Sequence, residues 1–297
     1  MRYVVFGATG FLGELLVKRL VDQGHDVIAV ARNEGKLIAL KERFFGIETI
    51  SGDIADSWTV ASAFRCRPDG VFLLSAFKHV GMAETETMQC VKSNVIGTLK
   101  VLKASMESKP GFVVLTSTDK AAQVSGVYGA TKLIGEKLFE ESERLNPDTK
   151  YRVVRYGNVI KSTGSFLTKW EDKMKKGEEI ILTDPEATRF FWTRDDAVNL
   201  IFDCLEKSLD AKPWIPEMKA ISMGDALEAC RRKWGRSSPV KVIGLQPGEN
   251  LHETMGGGVY SNEVDRYTPW EEECIATRSI DIPSRNSNRS YSFFRAS

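Results

Sequence analysis

The first apolar run of the chain and the turn that follows it read Tyr3-Val4-Val5-Phe6-Gly7-Ala8-Thr9-Gly10-Phe11-Leu12-Gly13. The apolar run predicts a buried strand, and the residues after the last glycine have the spacing of an amphipathic helix. Glycines between a strand and a helix allow a tight turn and let backbone N–H groups approach a pyrophosphate. The alternative is a glycine turn that binds nothing. We predict a dinucleotide site with contacts from Gly7, Thr9, Gly10, Phe11, Leu12 and Gly13.

The same alternation of strand and helix patterns continues through the first half of the chain. Apolar runs recur at Tyr3–Phe6, Val27–Ala31, Val71–Leu74, Phe112–Leu115 and Arg152–Tyr156. Helical spacing occupies Gly13–Asp22, Val91–Met106 and Lys132–Arg144. Strands that alternate with helices predict a parallel sheet with right-handed crossovers. The predicted fold class is therefore α/β, a Rossmann-type doubly wound parallel sheet with a smaller mixed C-terminal substrate lobe.

The regular alternation weakens after Asn158, which suggests a change of domain. We predict an NADP-binding Rossmann domain at 1–157 and a substrate-binding lobe at 158–297, with about 191–210 packing back on the Rossmann domain. The lobe should contain a basic helix at Lys169–Lys176 and short strands near Ile180–Leu182 and Val240–Gly244. The tail from about Asp281 has no periodicity and predicts a loosely held terminus.

Composition excludes several classes of protein. The net charge of the 297-residue chain is +1, whereas a nucleic-acid reader needs a basic face. The five cysteines are dispersed without a CxxC pair, which favours reduced thiols over disulfides or a zinc site, so we predict no metal. No apolar run approaches the roughly 18 residues of a membrane span, and the N-terminus leaves no room for a signal peptide. We expect a cytoplasmic protein with no nucleic-acid or membrane partner.

The end of the second strand predicts which dinucleotide is bound. NAD-binding versions of this fold place Asp or Glu there to accept from the ribose 2′-hydroxyl. Here the strand ends in Ala31, Arg32 and Asn33, with Lys36 one turn later, and the cations would attract a 2′-phosphate. The alternative is that Arg32 is only a solvated surface residue. NADP is favoured, with Asp53 and Ile54 placed to contact adenine.

The candidate catalytic residues are Thr118, Asp119 and Lys120, followed by Tyr128 and Lys132. Tyr128 and Lys132 are four residues apart at the start of a helix and share one face. Lys132, with a positive nicotinamide, would lower the pKa of the phenol, so that Tyr128 acts as a base while hydride leaves a sugar carbon. Asp119 and Lys120 add an acid and a base, which an oxidation–elimination–reduction sequence requires. Their alternative interpretation is a surface ion pair of little consequence.

With these residues, the chain resembles the UDP-N-acetylglucosamine 4,6-dehydratases of the extended short-chain dehydrogenase/reductase type, particularly the C5-inverting enzymes of pseudaminic acid synthesis. The resemblance rests on several motifs between Tyr3 and Glu253: Ser75-Ala76-Phe77-Lys78-His79-Val80, Ser93-Asn94-Val95-Ile96-Gly97-Thr98, Ser117-Thr118-Asp119-Lys120-Ala121-Ala122, Val154-Arg155-Tyr156-Gly157-Asn158-Val159, Thr188-Arg189-Phe190 and Pro247-Gly248-Glu249-Asn250-Leu251-His252-Glu253. Lys120 separates the chain from dTDP-glucose dehydratases, which carry Thr-Asp-Glu. Tyr128 favours the inverting branch over relatives with Met there.

The resemblance implies roles for individual residues. Asp119 would be the acid, Lys120 the C5 base, and Tyr128 with Lys132 the hydride-transfer pair. Further cofactor contacts would come from Leu74, Ser75, Ala76, Lys78 and Asn94. Substrate contacts would come from Lys78, Asn158, Thr183, Arg189, Gln246 and Glu249. His79 and His252 match family positions and are interpreted as packing residues. We also expect a homo-oligomer.

Three positions depart from the family pattern. Gln246 and Asn250 stand where the family has Arg and Lys beside its Pro-Gly-Glu, and Thr163 stands in place of another Arg. Each lost charge-assisted hydrogen bond is worth roughly 1.5–3 kcal/mol. Either neighbouring cations such as Lys161 and Lys169 substitute, or the substrate differs. Two other functions stay open: a nucleotide-sugar 4-epimerase or reductase, which needs no Asp119–Lys120 pair, and a non-catalytic NADP-binding regulator.

Overall fold

A computed structural model describes residues 1–160, 162, 166–234, 238–268 and 271–272, and the backbone of 294–295. The strands are β1 Arg2–Phe6, β2 Asp26–Ala31, β3 Glu48–Ser51, β4 Gly70–Leu73, β5 Phe112–Thr118, β6 Lys150–Tyr156, β7 Asn158–Val159, β8 Ile180–Leu182, β9 Thr188–Trp192, β10 Pro213–Ile215, β11 Ala220–Ser222, β12 Val240–Val242, β13 Thr254–Gly256, β14 Val259–Tyr260 and β15 Phe294–Arg295. The helices are α1 Phe11–Asp22, α2 Glu34–Arg43, α3 Ser57–Phe64, α4 Val80–Thr85, α5 Thr87–Val91, α6 Gly97–Ser108, α7 Val127–Leu145, α8 Phe166–Lys176, α9 Arg194–Lys207 and α10 Met223–Trp234. A π-helical turn at Lys92–Ile96 precedes α6, and a 3₁₀ turn at Asp119–Ala121 follows β5.

The large sheet has the strand order β15-β10-β6-β5-β4-β1-β2-β3. The seven strands from β10 to β3 are parallel, and β15 pairs antiparallel with β10 at the edge. Helices cover both faces, so the central strands are buried on both sides and lack polar alternation. Val5 and Ala29 belong to the core on one face, and Val4 and Ile28 belong to the core on the other. The predicted Rossmann-type doubly wound sheet is confirmed.

The smaller lobe is built from short strands around a third apolar core. It contains the three-stranded sheet β11-β9-β7, the parallel pair β12-β8 and the hairpin β13-β14. Helices α8 and α10 pack against each other and bury Trp170, Met174 and Leu227. The predicted basic helix and the two short strands are therefore present, and the two strands pair with each other.

The chain returns to the large sheet after it enters the lobe. Helix α9 packs against α1 and β6, and β10 joins the sheet beside β6. Arg19 in α1 donates a 2.8 Å hydrogen bond to Asp195 in α9. Strands from both sides of residue 157 share the large sheet, so the sheet does not mark a domain boundary there. The boundary at residue 157 stays a prediction.

Some sequence predictions fall on parts of the chain that the structure leaves out. Of the tail from Asp281, only the backbone of β15 is described, and Thr163 and Lys161 lie outside the described residues, as does Cys274. The other four cysteines are free thiols. Among the helices of the described ranges, none combines the length and the apolar composition needed to cross a membrane.

Candidate active site

The candidate site lies at the carboxyl edge of the parallel sheet, where the loops after β1, β4, β5 and β6 meet. Parallel α/β sheets place ligands outside this edge because their loops and helix N-termini converge there. Strands β1 and β4 are neighbours, so the glycine turn after β1 lies against the loop after β4. A side chain at Gly7 would come within 2.8 Å of the Ser75 nitrogen. The fold therefore brings two of the predicted cofactor segments together.

The glycine turn leaves its backbone uncovered for a ligand. Gly7 has a φ of 86°, a conformation that L side chains rarely adopt, and a Cβ at Gly13 would lie 2.1 Å from the Gly7 carbonyl oxygen. Gly10 caps α1 without any side-chain hydrogen bond. The first amides of α1 therefore keep the partial positive charge that binds a pyrophosphate. This cradle fits a dinucleotide, with Thr9, Phe11 and Leu12 beside it.

The end of β2 carries the residues that were predicted to select NADP. Arg32 has a 74% exposed side chain, and its Nη1 lies 3.8 Å from Oδ2 of Asp53. The side chain of Asn33 accepts from the Lys36 amide and caps α2. Asp53 also accepts from the Ala55 amide, next to the buried Ile54. Arg32 and Lys36 are therefore exposed cations beyond the strand, as a 2′-phosphate site requires.

Asn94 lies in the π-helical turn and organises the loop after β4. Its Oδ1 accepts from the Phe77 amide at 2.7 Å, and its Nδ2 donates to the Phe77 carbonyl at 3.0 Å. Nδ2 also donates to Thr131 Oγ1 at 3.0 Å in α7. These protein contacts occupy the amide of Asn94. The residue thereby fixes the loop Leu74–Lys78, which carries the other predicted cofactor contacts, against α7.

Tyr128 and Lys132 lie in the first two turns of α7, and burial is the largest effect on the pKa of each. Lys132 Nζ donates a 2.6 Å hydrogen bond to the Thr116 carbonyl, and burial lowers its pKa to about 8 despite the opposing effect of Glu136. Burial raises the pKa of Tyr128 to about 12, and Asp119 adds to this rise. Lys120 and a hydrogen bond with Thr118 act in the opposite direction. Among the protein's own groups, Lys120 and not Lys132 is therefore the cation that favours the phenolate.

A buried cluster of four charges follows the end of β5. Oδ1 of Asp119 accepts from Thr118 Oγ1 at 2.7 Å and from Lys120 Nζ at 3.1 Å, and the Asp119 side chain is 0% exposed. Lys120 Nζ lies 3.6 Å from Oε1 of Glu253. The same oxygen of Glu253 lies 3.8 Å from Arg189 Nε. The pair Asp119–Lys120 is thus a buried ion pair and not the surface pair of the alternative interpretation.

The charges of the cluster determine the protonation of Lys120. Burial alone would lower the pKa of Lys120, but Asp119 and Glu253 together raise it above the ordinary value of a lysine. Burial also raises the pKa of Glu253, an effect that Lys120 opposes. Lys120 is therefore a cation at rest. It can act as a base only after it transfers its proton to a neighbour.

Several predicted substrate residues already have contacts within the protein. Asn158 Nδ2 donates to the Phe190 carbonyl, and Arg189 Nη1 donates to the carbonyls of Thr188 and Leu251. Glu249 Oε2 accepts from the Gln246 amide at 3.1 Å and closes a turn. Lys78 follows β4 and Thr183 follows β8. Whether these residues contact a substrate stays a prediction.

The loop around Pro247 packs against the segment between the 3₁₀ turn and α7. Asn250 Nδ2 donates to the Gln123 carbonyl at 3.2 Å, and Ser125 Oγ donates to the Gly248 carbonyl at 3.0 Å. Gln246 is exposed at the edge of this loop. Gln246 and Asn250, where the family has cations, therefore border the site. The side chain of Asn250 also joins the two lobes through its hydrogen bond to Gln123.

Two buried carboxylates of the candidate site, Glu253 and Glu136, were not predicted from the sequence. In the sequence Glu253 is only the last residue of a motif, yet its Oε1 lies 3.6 Å from Lys120 Nζ. Glu136 accepts from Ser117 Oγ at 2.5 Å and pairs with Arg155 at 2.5 Å, which links the catalytic strand to α7. Glu136 follows Lys132 by one helical turn, so its position on the same face was available from spacing. No local sequence pattern predicts the position of Glu253, because its contact with Lys120 depends on tertiary structure.

The dinucleotide cradle, the Tyr128–Lys132 pair and the adjacent Thr118 define the class. The chain is a nucleotide-sugar dehydratase or epimerase of the short-chain dehydrogenase/reductase type. It belongs to the polysaccharide biosynthesis protein family, whose profile matches residues 3–276.

Named relatives include both dehydratases and epimerases. A UDP-N-acetylglucosamine 4,6-dehydratase (inverting) of Campylobacter jejuni is 31% identical over 259 residues, covering 85% of this chain and 76% of the relative. An uncharacterised membrane protein of Methanocaldococcus jannaschii is 32% identical over 264 residues, covering 85% and 79%. A UDP-glucose 4-epimerase of Rickettsia canadensis is 29% identical over 266 residues, covering 85% and 76%. Sequence similarity therefore supports both reactions of the class.

Solved structures share the fold. The structure of Pen from Bacillus thuringiensis superposes with a TM-score of 0.81 at 30% identity, covering 85% of this chain and 82% of the other. DesIV, a dTDP-glucose 4,6-dehydratase from Streptomyces venezuelae, superposes with a TM-score of 0.80 at 18% identity, covering 94% and 96%. The second likeness concerns the fold alone.

Proposed function

We propose that the chain is an NADP-dependent 4,6-dehydratase that acts on UDP-N-acetylglucosamine. The observation that carries this proposal is the buried ion pair between Asp119 and Lys120, with 3.1 Å between Nζ and Oδ1, directly after Thr118. Epimerisation at C4 requires a base for one hydroxyl and a hydride carrier, and makes no use of a second acid–base pair. Water elimination requires both members of that pair.

The first task of the site is to oxidise C4 of the sugar. Tyr128 accepts the proton of the C4 hydroxyl, and Thr118 orients that hydroxyl by hydrogen bonding. A bound nicotinamide would supply the acceptor for the C4 hydride and the hydride donor for C6. As C6 takes the hydride, Lys120 would return a proton to C5, and the proton held by Tyr128 would restore the ammonium of Lys120. The nearby cation Lys120 favours the phenolate form of Tyr128. Lys132 holds the start of α7 against β5 through Thr116.

The second task is to eliminate water across C5 and C6. Transfer of one proton from Lys120 Nζ to Asp119 Oδ1 converts the ion pair into a neutral amine and a neutral acid. Lys120 then removes the C5 proton, which the C4 ketone makes acidic. The electrons of the C5–H bond form the C5=C6 double bond, and the C6–O bond breaks. The C6 hydroxyl leaves as water with the proton of Asp119, and the ion pair is restored.

The burial of Asp119 determines the path of that proton. The side chain is fully buried, and Thr118 Oγ1 lies 2.7 Å from its Oδ1. We propose that the proton passes from Asp119 through the Thr118 hydroxyl to the leaving group. Thr118 would then serve both steps, since it also hydrogen-bonds Tyr128.

Separate observations support the proposed cofactor, substrate and oligomeric state. Arg32 and Lys36 are exposed cations at the end of β2, which favours NADP. The identity of 31% with an inverting dehydratase supports UDP-N-acetylglucosamine as substrate, with inversion at C5. Exposed apolar side chains of Met88, Leu99 and Ile134 on the α5, α6 and α7 side of the molecule support a homo-oligomer.

The test is incubation with NADP and a panel of nucleotide-sugars, followed by mass spectrometry. We expect a product that is lighter by one water with UDP-N-acetylglucosamine. A product of unchanged mass but altered C4 configuration would show an epimerase, the activity named for the Rickettsia relative. Binding of NADP without any sugar conversion would contradict an enzymatic function.

A further inference from the structure

Glu253 is a buried carboxylate that directly faces the catalytic lysine. Its side chain is 1% exposed, and Oε1 lies 3.6 Å from Lys120 Nζ and 3.8 Å from Arg189 Nε. Its other oxygen, Oε2, is buried, and the side chain of Asn250 acts on the carboxylate beside the two cations and lowers its pKa. A buried carboxylate is stable only when cations face it, so Glu253 depends on Lys120 and Arg189.

The backbone holds Glu253 in this position from several directions. Its amide donates to Ser261 Oγ at 2.9 Å, and the Ser261 amide donates to its carbonyl at 2.8 Å. The preceding residue, His252, forms a bridge to Thr188 in β9. Two residues later, the Met255 carbonyl accepts from Arg155. The side chain of Glu253 is therefore aimed at Lys120 by a fixed frame.

The charged and titratable groups around Lys120 come from four elements. Asp119 shares the 3₁₀ turn with Lys120, Tyr128 lies in α7, Arg189 lies in β9, and Glu253 precedes β13. Two anions and one cation thus act on the lysine besides the phenol. Asp119 must become a neutral acid during elimination, which leaves Glu253 as the anion beside Lys120 throughout the step.

We infer that Glu253 is a positioning residue for Lys120: it holds the ammonium at the site and sets how readily that group becomes the free amine that removes the C5 proton. This inference rests on the proposed dehydratase function. When Lys120 takes the C5 proton, the new ammonium forms beside Glu253, and Coulomb attraction stabilises it there. Arg189 keeps Glu253 ionised while Lys120 is neutral.

The test isolates proton removal from the rest of the reaction. The dehydrated 4-keto product is made with wild-type enzyme, isolated and returned to each variant in deuterated buffer. Exchange of its C5 hydrogen for deuterium is followed by mass spectrometry across a pH series. This exchange requires a base but no hydride transfer and no acid for a leaving group. At low pH its rate is set by the small fraction of enzyme in which Lys120 has passed its proton to Asp119. The rate then rises as Lys120 loses its proton to solvent, and it levels off once the amine is free.

Glu253→Gln should move the levelling-off to lower pH by about one unit or more, because an opposite charge this close shifts a pKa by that amount. In wild type the rising part of the curve should lie at a pH higher by the same amount, because Glu253 raises the pKa of Lys120. Glu253→Asp, which keeps the charge but withdraws it from Lys120, should shift the curve in the same direction by less. Glu263→Gln removes an exposed carboxylate of the same lobe and should leave the curve unchanged.

The outcomes separate the inference from the proposed function. Thermal unfolding with and without NADP checks that each variant is folded. If Glu253→Gln does not fold, the pH curve of Glu253→Asp is compared with that of wild type instead. In either case, a variant curve identical to that of wild type would overturn the inference. A lower rate with an unshifted curve in either folded variant would show a purely structural role. Wild type that forms no dehydrated product would remove the proposed function, and this inference with it.

Discussion

Arg155 Nη1 donates a 2.6 Å hydrogen bond to the carbonyl oxygen of Met255 and so joins the large sheet to the smaller lobe. The same guanidinium pairs with Glu136 in α7, and Glu136 accepts from Ser117 in β5. One buried ion pair therefore fixes the catalytic strand, the helix of Tyr128 and the segment that carries Glu253. The relative positions of these three elements depend on it.

Replacing Arg155 with Met should destabilise the protein severely. The change leaves Glu136 buried without its cation, which costs about 3–5 kcal/mol of unfolding free energy. Urea denaturation measures the loss. Lys18→Met breaks an exposed pair with Asp22 and should cost less than about 1 kcal/mol. Equal losses in the two variants would mean that the buried pair has no special role.

Cofactor preference should reverse when the charge at the end of β2 is reversed. Wild type should bind NADP more tightly than NAD, because Arg32 and Lys36 attract the 2′-phosphate. Arg32→Glu should weaken NADP binding by roughly tenfold or more, since a hydrogen bond to a charged group is worth roughly 1.5–3 kcal/mol. Isothermal calorimetry with both cofactors measures this. Lys41→Glu, on the exposed side of α2, is the control. Equal affinities of wild type for the two cofactors would refute the assignment.

Lys120→Ala should separate oxidation from elimination. The C5 base is needed only after the ketone forms, so the variant should still reduce NADP but release no water. Oxidation should be slower than in wild type, because Lys120 also favours the phenolate of Tyr128. Loss of a general base typically costs about 10²–10⁴ in rate. A rise in the near-ultraviolet absorbance of the reduced nicotinamide should accompany the loss of product. Lys137→Ala, on the exposed face of α7, should behave as wild type. Full dehydration by Lys120→Ala would exclude Lys120 as the base.

Lys132→Met should stabilise the protein in a pH-dependent way. The pKa of Lys132 is lowered from 10.5 to about 8, so below pH 8 the full penalty of a buried cation applies. That penalty is about 3 kcal/mol, and loss of the hydrogen bond to Thr116 returns about 1 kcal/mol. The expected net gain is on the order of 2 kcal/mol below pH 8.

Thermal unfolding at several pH values checks this prediction. Between pH 8 and 10.5 the wild type regains stability, because only its unfolded state still binds the proton. The advantage of the Met variant should therefore shrink as the pH rises. A constant advantage would indicate better packing instead of a relieved charge. Activity should be lost in this variant at every pH.

Gln246→Arg tests whether the missing cation matters for the substrate. If UDP-N-acetylglucosamine is the substrate, an added arginine beside its pyrophosphate should tighten UDP binding by about tenfold, as expected of a charge-assisted hydrogen bond. Calorimetry of UDP binding measures the change, with Gln23→Arg on the distant surface of α1 as control. A variant with unchanged or weaker UDP binding would indicate a ligand other than a UDP-sugar at this position.

The sequence predicted the central sheet closely because burial on both faces makes each strand an apolar run. Tyr3–Phe6 and Val71–Leu74 match β1 and β4 within one residue at each end. The predicted helix Val91–Met106 was interrupted, because the π-helical turn inserts Asn94 against the loop of Phe77. Hydrophobic periodicity predicts which residues face the core. It cannot predict that a polar side chain such as Asn94 forms hydrogen bonds to another element.

In the candidate site too, local features could be predicted from the sequence and tertiary contacts could not. Tyr128 and Lys132 could be placed on one face from their spacing, since the spacing within a helix is local. The orientation of Lys132 toward Thr116 and the approach of Glu253 to Lys120 depend on how distant segments pack. The pKa values of Tyr128 and Lys132 follow from that packing, so they could not be predicted from the spacing of the two residues.

The contact between Lys120 and Glu253 has a consequence for the order in which activity arises during synthesis. Domains fold from the N-terminus as the chain leaves the ribosome. The dinucleotide cradle, Tyr128 and Lys132 emerge well before the segment that supplies Glu253 and the Met255 carbonyl. In the proposed mechanism, a nascent chain thus holds the groups for hydride transfer before the partner of its elimination base exists. Completion of the last third of the chain then adds the residue on which the proposed elimination depends.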